Sequence, residues 1–553
     1  MKNISTLKWI SKSTKKQHPK LFLLIFLNVI FSVLFVLFAF QIKAVLGGAL
    51  KGNKGELING AIWLGVIIVS QLILRIVINS LSEHIKAKIA TDMRFNMFSD
   101  IVSKKFEKIS KYHSGELMNR IISDISVVST GVATILPNLF SAMARLLSAV
   151  IALVVLDPIF ALAFCGLGIL VSILIVLTRT KLKNLHKDIQ EADGKSRSFM
   201  QECIENLLAV KVFSVDGKIE KKTDKLLDNS YKAIMKRKTY SVTGNAIFNF
   251  IFTLGYFFAL VYGSFMIIGG SMFYDELAAI LQLVNNVQMP FASLSSIIPE
   301  YYFMLASAER IIEIENIECE NSGNLIQKEE VYALMQSLDF KNVSFAYKEE
   351  EVLKNINFSI KKGDFVLLSG ASGSGKTTII KLLLGVYQPN SGEINFALED
   401  SNIKLDYASR SMFSYVPQGN MLFSGSIREN ITLINTNATE NEIEKVLDLS
   451  CCKEFIGELP NGIDTKIGER GLGLSEGQIQ RIAIARALLS SAPIILLDES
   501  TSALDEQTEE KVLKNLKSIE KLTLIIVSHK KAPKNICNKK LYVENGNLTS
   551  EEI

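Results

Sequence analysis

The sequence predicts an α-helical six-span transmembrane domain with long cytosolic helical extensions, followed by an α/β P-loop domain. Three observations predict it. Apolar runs of about 20 residues, the length that crosses a bilayer, crowd the chain before residue 308. The polar stretches between them are helix-permissive and nearly free of proline and glycine. Beyond the last run, Gly370-Ala371-Ser372-Gly373-Ser374-Gly375-Lys376-Thr377 fits G-x-x-x-x-G-K-[ST], set between a strand-like and a helix-like segment.

Composition agrees with a chain of two characters. Its 553 residues suffice for two or more domains. Hydrophobic residues make up 48% and the mean hydropathy is +0.26, high for a wholly soluble protein, and the excess lies in the first half. A net charge of +5 is small for this length and does not suggest a nucleic-acid partner. Cys165, Cys203, Cys319, Cys451, Cys452 and Cys537 show no metal-ligand spacing, and adjacent Cys451-Cys452 is a poor disulfide candidate. They read as reduced cytosolic or membrane-buried thiols.

The candidate spans are 21–42, 57–79, 132–156, 158–178, 245–270 and 276–305, within a membrane domain placed at 1–312. The first follows a basic start (Lys2, Lys8, Lys12, Lys15, Lys16, Lys20) and is too long for a signal-peptide core. That start places the N-terminus in the cytosol. Trp9 reads as an interfacial anchor. Six spans return the chain to the cytosol, with the stretches 80–131 and 179–244 on that side as continuing helices. Ionisable and amide groups inside spans are functional candidates. Arg145 lies near the middle of the third span; Gln282 and Asn286, one turn apart in the sixth, share a face. They are candidates for a polar substrate pathway, with Arg145 facing an anionic group, or for hydrogen bonds between helices.

A polar, acidic linker is placed at 313–336 and a nucleotide-binding domain at 337–553. Alternation at Leu338-Phe340 and Val343-Phe345 predicts strands. Phe365-Val366-Leu367-Leu368 predicts a buried strand running into the Gly-rich loop, and Thr378 lies in the helix that follows. Glycines let backbone N–H groups approach phosphates, and the helix N-terminus favours anions. Lys376 is expected on the β- and γ-phosphates of ATP and Thr377 on Mg²⁺. Asp498 ends the apolar run Ile494–Leu497 and completes the metal site. Glu499 is expected to polarise the attacking water.

The ordered set Lys376, Gln418, Leu474-Ser475-Glu476-Gly477-Gln478, Asp498-Glu499, Asp505 and His529 resembles the ABC transporter family, over nearly the whole chain. More narrowly, the chain resembles a bacterial type-I exporter half-transporter, with one membrane domain fused ahead of one nucleotide-binding domain of ABC type. The resemblance implies that Tyr347 stacks on adenine and that Gln418 contacts Mg²⁺ or water and senses the membrane domain. It implies that His529 contacts the γ-phosphate and that Asp505 lies at a dimer interface. Ser475, Glu476, Gly477 and Gln478 match the signature loop, which in the family usually has glycine where this chain has Glu476. A carboxylate there is tolerated if it points away from nucleotide. Glu469 matches an exporter loop before the signature, and Glu116 with Arg120 (and Asp124) matches a first coupling segment.

The family's signature loop completes the partner's P-loop, so the resemblance implies a dimer with two ATP sandwiched between subunits. Both half-sites are intact in this chain, which favours a homodimer; a paralogous half-transporter is the other partner open. The expected function is ATP-driven export of an unidentified drug, lipid or peptide by alternating access. The alternative is an ATP-gated channel or regulatory membrane ATPase. No Cys/His peptidase segment precedes the first span, so leader-peptide cleavage is not expected. Richness in Lys, Ile and Asn suggests an AT-rich bacterial genome, and hence a bacterial inner membrane surrounded by its lipids.

Overall fold

The computed structural model describes residues 2–320, 326–347, 350–419, 422–468 and 473–553. The chain divides into two compact units, Met1–Ile101 with His113–Asn316, and Val102–Tyr112 with Ile317–Ile553.

The first unit is built from helices. Short α1 (Lys2–Ser13) precedes α2 (His18–Leu50) and α3 (Lys54–Ser103). After α4 (Phe106–Ile109), which belongs to the second unit, come α5 (Ser114–Asn119) and α6 (Ile125–Leu156). Next are α7 (Pro158–Glu205), α8 (Leu207–Val212), α9 (Asp216–Ile268) and α10 (Tyr274–Glu315). Among the described residues, Lys15–Leu50, Lys54–Ser103, Ser114–Leu156 and Asp216–Ile268 are long and apolar enough to cross a membrane. The fourth expected span opens α7, where Pro158–Leu170 is apolar among the described residues. The sixth falls in α10, where Gln282, Asn285, Asn286 and Gln288 dilute the apolar run. Pro290 and Pro299, also inside α10, cannot donate the usual intrahelical bond.

Local chemistry sets these boundaries. Asp157 caps α7, accepting from the Ile159 backbone N–H at 2.8 Å, with Pro158 at the first helical position, where its missing N–H costs nothing. Glu276 reaches back to the Phe273 N–H at 3.1 Å to start α10, and Lys43 of α2 pairs with it at 3.0 Å. Val36, Ala39, Leu153, Phe160, Phe164, Phe252, Ile280 and Leu283 bury one apolar core shared by α2, α6, α7, α9 and α10. On α3, by contrast, Ile58, Ile62, Val69, Leu72, Ile73 and Ile76 are all at least half exposed. An apolar face of that kind suits lipid or a second chain, not water.

Between α5 and α6 the residues Arg120–Asp124 wind as a π-helical turn. It carries two charges that are almost fully buried. Asp124, 2% exposed, accepts from Ser307 Oγ and from Arg310 Nε at 2.9 Å each, and also from Arg310 Nη2. Arg120 donates to the Arg310 carbonyl at 2.7 Å, to Glu313 at 2.9 Å and to Glu116 at 2.7 Å. These bonds tie the π turn to the last turns of α10.

The second unit contains two main sheets. Antiparallel β1 (Met335–Ala346), β2 (Glu351–Lys361), β4 (Ser391–Leu398) and β5 (Asn402–Lys404) run in the order β2-β1-β4-β5. The larger sheet has the order β12-β11-β3-β10-β9-β6. Its members are β3 (Phe365–Gly370), β6 (Phe413–Val416), β9 (Ile494–Asp498), β10 (Thr523–Val527), β11 (Lys539–Glu544) and β12 (Asn547–Glu552). All its pairings are parallel except the hairpin β11–β12. A ribbon of β7 (Gly425–Ser426) and β8 (Lys466–Ile467) lies apart. The helices are α11 (Lys328–Leu334), α12 (Lys376–Leu383), α13 (Ile427–Ile431), α14 (Glu440–Leu449), α15 (Lys453–Gly457), α16 (Glu476–Leu489) and α17 (Glu506–Lys517).

One core lies between the two sheets and α12, with Phe340 and Phe358 stacked at 4.2 Å. A second packs α13, α14 and α15 against α16 through Ile431, Leu447, Phe455 and Ile482. Burial there pushes the Cys452 thiol up to about 12, and burial near α17 does the same to Cys537. A raised value keeps a thiol protonated, and only the thiolate alkylates readily. At pH 8, native-state iodoacetamide should therefore modify exposed Cys319 and leave Cys452 and Cys537 intact, as read by mass spectrometry. Equal labelling of all three would contradict these cores.

Candidate functional site

The sheet order explains how motifs far apart in sequence meet. Strands β3, β10, β9 and β6 are neighbours and parallel. Val527 is paired with both Leu368 and Asp498, and Val416 with Leu497. The four C-terminal ends therefore lie along one edge. The Gly-rich loop leaves β3, Gln418 follows β6, Glu499 follows β9 and His529 follows β10. Open α/β sheets bind ligands outside the carboxyl ends of their strands.

The Gly370–Thr377 loop is held by its own lysine. Lys376 Nζ donates to the carbonyls of Gly370 and Ala371, both at 2.8 Å. Gly370 has φ 151°, and a Cβ there would lie 2.3 Å from the Val543 carbonyl oxygen. Gly375 takes φ 110° as it caps α12. Ala371, Ser372, Gly373 and Thr377 are exposed, and the half-buried Ser374 has a buried hydroxyl with no partner. Exchanging Gly370 for alanine adds roughly 1–3 kcal/mol of backbone strain, together with the clash. We expect a melting temperature lowered by several degrees and weakened binding of a fluorescent ATP analogue. Unchanged binding would show that the loop adapts.

Asp498 is 2% exposed and accepts from Tyr415 OH at 3.3 Å. Burial pushes its carboxyl up, with the charge of Glu499 adding to the effect. Burial, then the nearby Asp498 charge, likewise pushes the Tyr415 phenol well up, so it stays a donor. Glu499 has φ 49°, a conformation uncommon outside glycine. Its N–H is tied to the Val527 carbonyl at 3.1 Å. Its carboxylate accepts from Gln418 Nε2 at 2.7 Å and stands 3.9 Å from His529 Nε2. Residues 418, 499 and 529 thus meet in space.

Tyr347, which directly follows β1, lies in an aromatic corner. Its hydroxyl is 3.3 Å from Thr378 Oγ1, and its ring meets Phe345 and Tyr387 edge-on at 4.9 and 5.4 Å. Lys381 Nζ sits over the rings of Tyr347 and Tyr387, and Phe106 of α4 meets Tyr387 at 6.1 Å. Residues near α4 also join the chain after α10: Lys105 pairs with Glu318 at 2.7 Å, and Lys104 bridges to Cys319 as one β-bridge.

Ser475 caps α16. Its hydroxyl accepts from the Gln478 N–H at 3.3 Å, and the Gln478 side chain accepts from the Ser475 N–H at 2.9 Å. Glu476 is exposed. A Cβ at Gly477 would lie 2.9 Å from the Ala503 carbonyl oxygen, so only glycine fits there without a shift. Asp505 caps α17 by accepting from the Thr508 N–H at 2.9 Å, which holds its carboxyl below the usual range. Lys530 braces the turn between β9 and α17, donating to the carbonyls of Thr501 and Leu504 at 3.0 and 2.7 Å.

In the first unit, Arg145 Nη2 donates to Asn286 Oδ1 at 2.8 Å. Gln282 is half-buried one turn away. Glu116 and Arg120 are joined in the network at the π turn. Glu469 lies outside the described residues. Sequence reasoning missed Tyr415, Tyr387 and Lys530. Tyr415 and Lys530 carry a positional signal, three residues before Gln418 and one after His529. Tyr387, in Val386-Tyr387-Gln388, carries none.

Residues 21–291 match the family described as the ABC transporter transmembrane region, and residues 353–502 match the family described as ABC transporter. The chain is 31% identical over 473 residues to ABC transporter B family member 1 of Dictyostelium discoideum, covering 83% of this chain and 52% of that protein. This chain thus spans about half the length of that relative. It is 31% identical over 483 residues to a probable ABC transporter ATP-binding/permease protein of Haemophilus influenzae, covering 84% of this chain and 85% of that protein. A putative multidrug export ATP-binding/permease protein of Staphylococcus aureus is 27% identical over 475 residues, covering 85% and 81%.

Proposed function

The chain belongs to the ABC transporter family, with an exporter-type membrane region fused ahead of its ATPase region, and from that premise we propose that it couples ATP hydrolysis to export as a homodimer. The observation that carries the reading is the meeting of Gln418, Glu499 and His529 at the strand edge that also bears the Gly-rich loop. The same constellation would serve a regulatory membrane ATPase, and what favours export is the similarity to a putative multidrug export ATP-binding/permease protein.

In this reading Tyr347 stacks on adenine, backbone N–H groups of residues 370–378 cradle the phosphates, and Lys376 swings from its two carbonyls onto them. Thr377, Gln418 and Asp498 would hold Mg²⁺, which neutralises phosphate charge when bound. Asp498 fits that role: it is a buried carboxylate whose hydrogen-bond partner is a neutral phenol. Glu499 accepts the proton of the attacking water, while Gln418 and His529 orient the carboxylate. The water oxygen bonds to the γ-phosphorus as the bond to the bridging oxygen of ADP breaks. Ser475 and Gly477, at the start of α16, with Asp505, complete the partner's site across the dimer. Exposed Glu476 can turn away from the nucleotide. Glu116, Arg120 and Glu469 transmit closure to the spans. The exposed apolar face of α3 supports a setting of lipid and a second copy. In this reading the chain works in a bacterial inner membrane with its ATPase unit in the cytosol.

The test is the purified chain alone in lipid nanodiscs, assayed for ATP hydrolysis, with inverted vesicles assayed for ATP-driven accumulation. Hydrolysis and accumulation together support the homodimeric exporter. A folded, ATP-binding sample without hydrolysis would refute the homodimer and favour a paralogous partner.

A further inference from the structure

The bundle holds a guanidinium whose Nε–H has no acceptor. Arg145 lies 11 residues before the end of α6, about 17 Å along the helix, which is near the middle of a hydrocarbon core about 30 Å thick. Its Nη2 donates to Asn286 Oδ1 at 2.8 Å, and Asn286, 1% exposed, is itself fixed by donating to the Phe35 carbonyl of α2 at 3.1 Å. The guanidinium lies over the Phe35 ring, 4.1 Å from its centroid, and Phe31 meets Phe35 edge-on at 5.1 Å. One turn before Arg145, Ser141 bonds to Ser32 at 2.7 Å.

All these partners are neutral. Among the described residues none is a carboxylate in contact with Arg145, and its buried Nε has no acceptor. An amide and an aromatic face orient a cation but do not neutralise it. An arginine at this depth ordinarily faces a partner of opposite charge or a polar cavity. Its planar fork matches a carboxylate or phosphate through two parallel bonds, and Phe31 and Phe35 offer apolar surface alongside.

We propose that Arg145, held by Asn286 and Phe35, binds the headgroup of an amphiphilic anion, an apolar chain ending in one carboxylate or phosphate, and that this is the substrate class of the transporter. The substrate claim rests on the export reading; the binding site does not. Two sources share the chemistry, an anionic lipid of the bilayer and a soluble amphiphile.

The test uses the full chain in phosphatidylcholine nanodiscs, with equilibrium dialysis of radiolabelled laurate as a readout independent of ATP. Dodecyl phosphate should compete, and dodecanol and dodecyltrimethylammonium should compete at least about 10-fold less well. Arg145→Gln should weaken laurate binding about 10-fold or more, while Arg145→Lys retains part of it. Equal competition by dodecanol in the wild-type chain overturns the site whether or not the variants fold. Displacement of laurate on changing to phosphatidylglycerol nanodiscs supports the site with bilayer lipid as its source; no displacement supports it with a soluble amphiphile. ATP-driven accumulation of laurate is measured in parallel in inverted vesicles. Selective binding without accumulation sinks the export reading and leaves the site. Accumulation without anion selectivity sinks the site and leaves the export reading.

Discussion

Glu499→Gln is expected to lower steady-state ATP hydrolysis by about 100- to 10,000-fold, the range for losing a positioned acid–base group, with ATP affinity changed by no more than a few-fold. The substitution is isosteric, and its amide oxygen can still accept from Gln418, which now bonds the carboxylate at 2.7 Å. The backbone at φ 49° is unaffected, since its N–H bond to Val527 does not involve the side chain. What is lost is the capacity to take a proton, so ATP should remain bound and intact. Phosphate-release kinetics and the nucleotide retained after rapid desalting measure the two halves. Turnover within about threefold of wild type would remove Glu499 from its proposed role. Lost nucleotide binding would mean that the carboxylate instead supports the shape of the loop.

The second large effect concerns stability, and it is asymmetric. Asp124 is 2% exposed, whereas the Arg310 side chain paired with it is 53% exposed. Arg310→Ala strands a buried carboxylate with Ser307 as its remaining donor from α10. We expect a loss of roughly 3 kcal/mol, at the low end for a broken buried ion pair. Asp124→Asn should cost less, because the freed guanidinium can turn to water. Melting curves of the reconstituted chain, with hydrogen exchange across 300–315, compare them. Negligible losses in both variants would mean that α10 is not pinned by this carboxylate, and a larger loss for Asp124→Asn would overturn the asymmetry.

Much of this was legible from residue order, for physical reasons. Phosphate binding requires a fixed loop length between strand and helix, so residues 370–377 announce themselves. Asp498-Glu499 follows a strand buried at every position, which makes the abrupt charge conspicuous. The span pattern was clear where apolar residues run unbroken, as in α2, and weaker in α10, where amides and prolines interrupt it. What pairwise contact alone reveals was not legible. Arg145 and Asn286 are 141 residues apart, and their bond depends on how α6 packs against α10. Tyr387 owes its place to an aromatic corner assembled from three separate segments. The π-helical turn at Arg120–Asp124 has no local sequence cue; its charges read as a coupling helix, while their bonds to Arg310 and Glu313 are tertiary.

The ATPase unit is discontinuous: Val102–Tyr112 belongs to it, although the rest of it begins at Ile317. During synthesis that short piece leaves the ribosome roughly two hundred residues ahead of its partners. At about 5–20 residues per second, the wait lasts on the order of 10–40 s. Throughout it Phe106 lacks the ring of Tyr387, and Lys105 lacks the carboxylate of Glu318. Cotranslational maturation of this half therefore closes a long loop last, after the spans have been inserted. A gene fragment starting at residue 337 would yield a soluble half with that seam left open, more prone to aggregate than its amino-acid composition suggests.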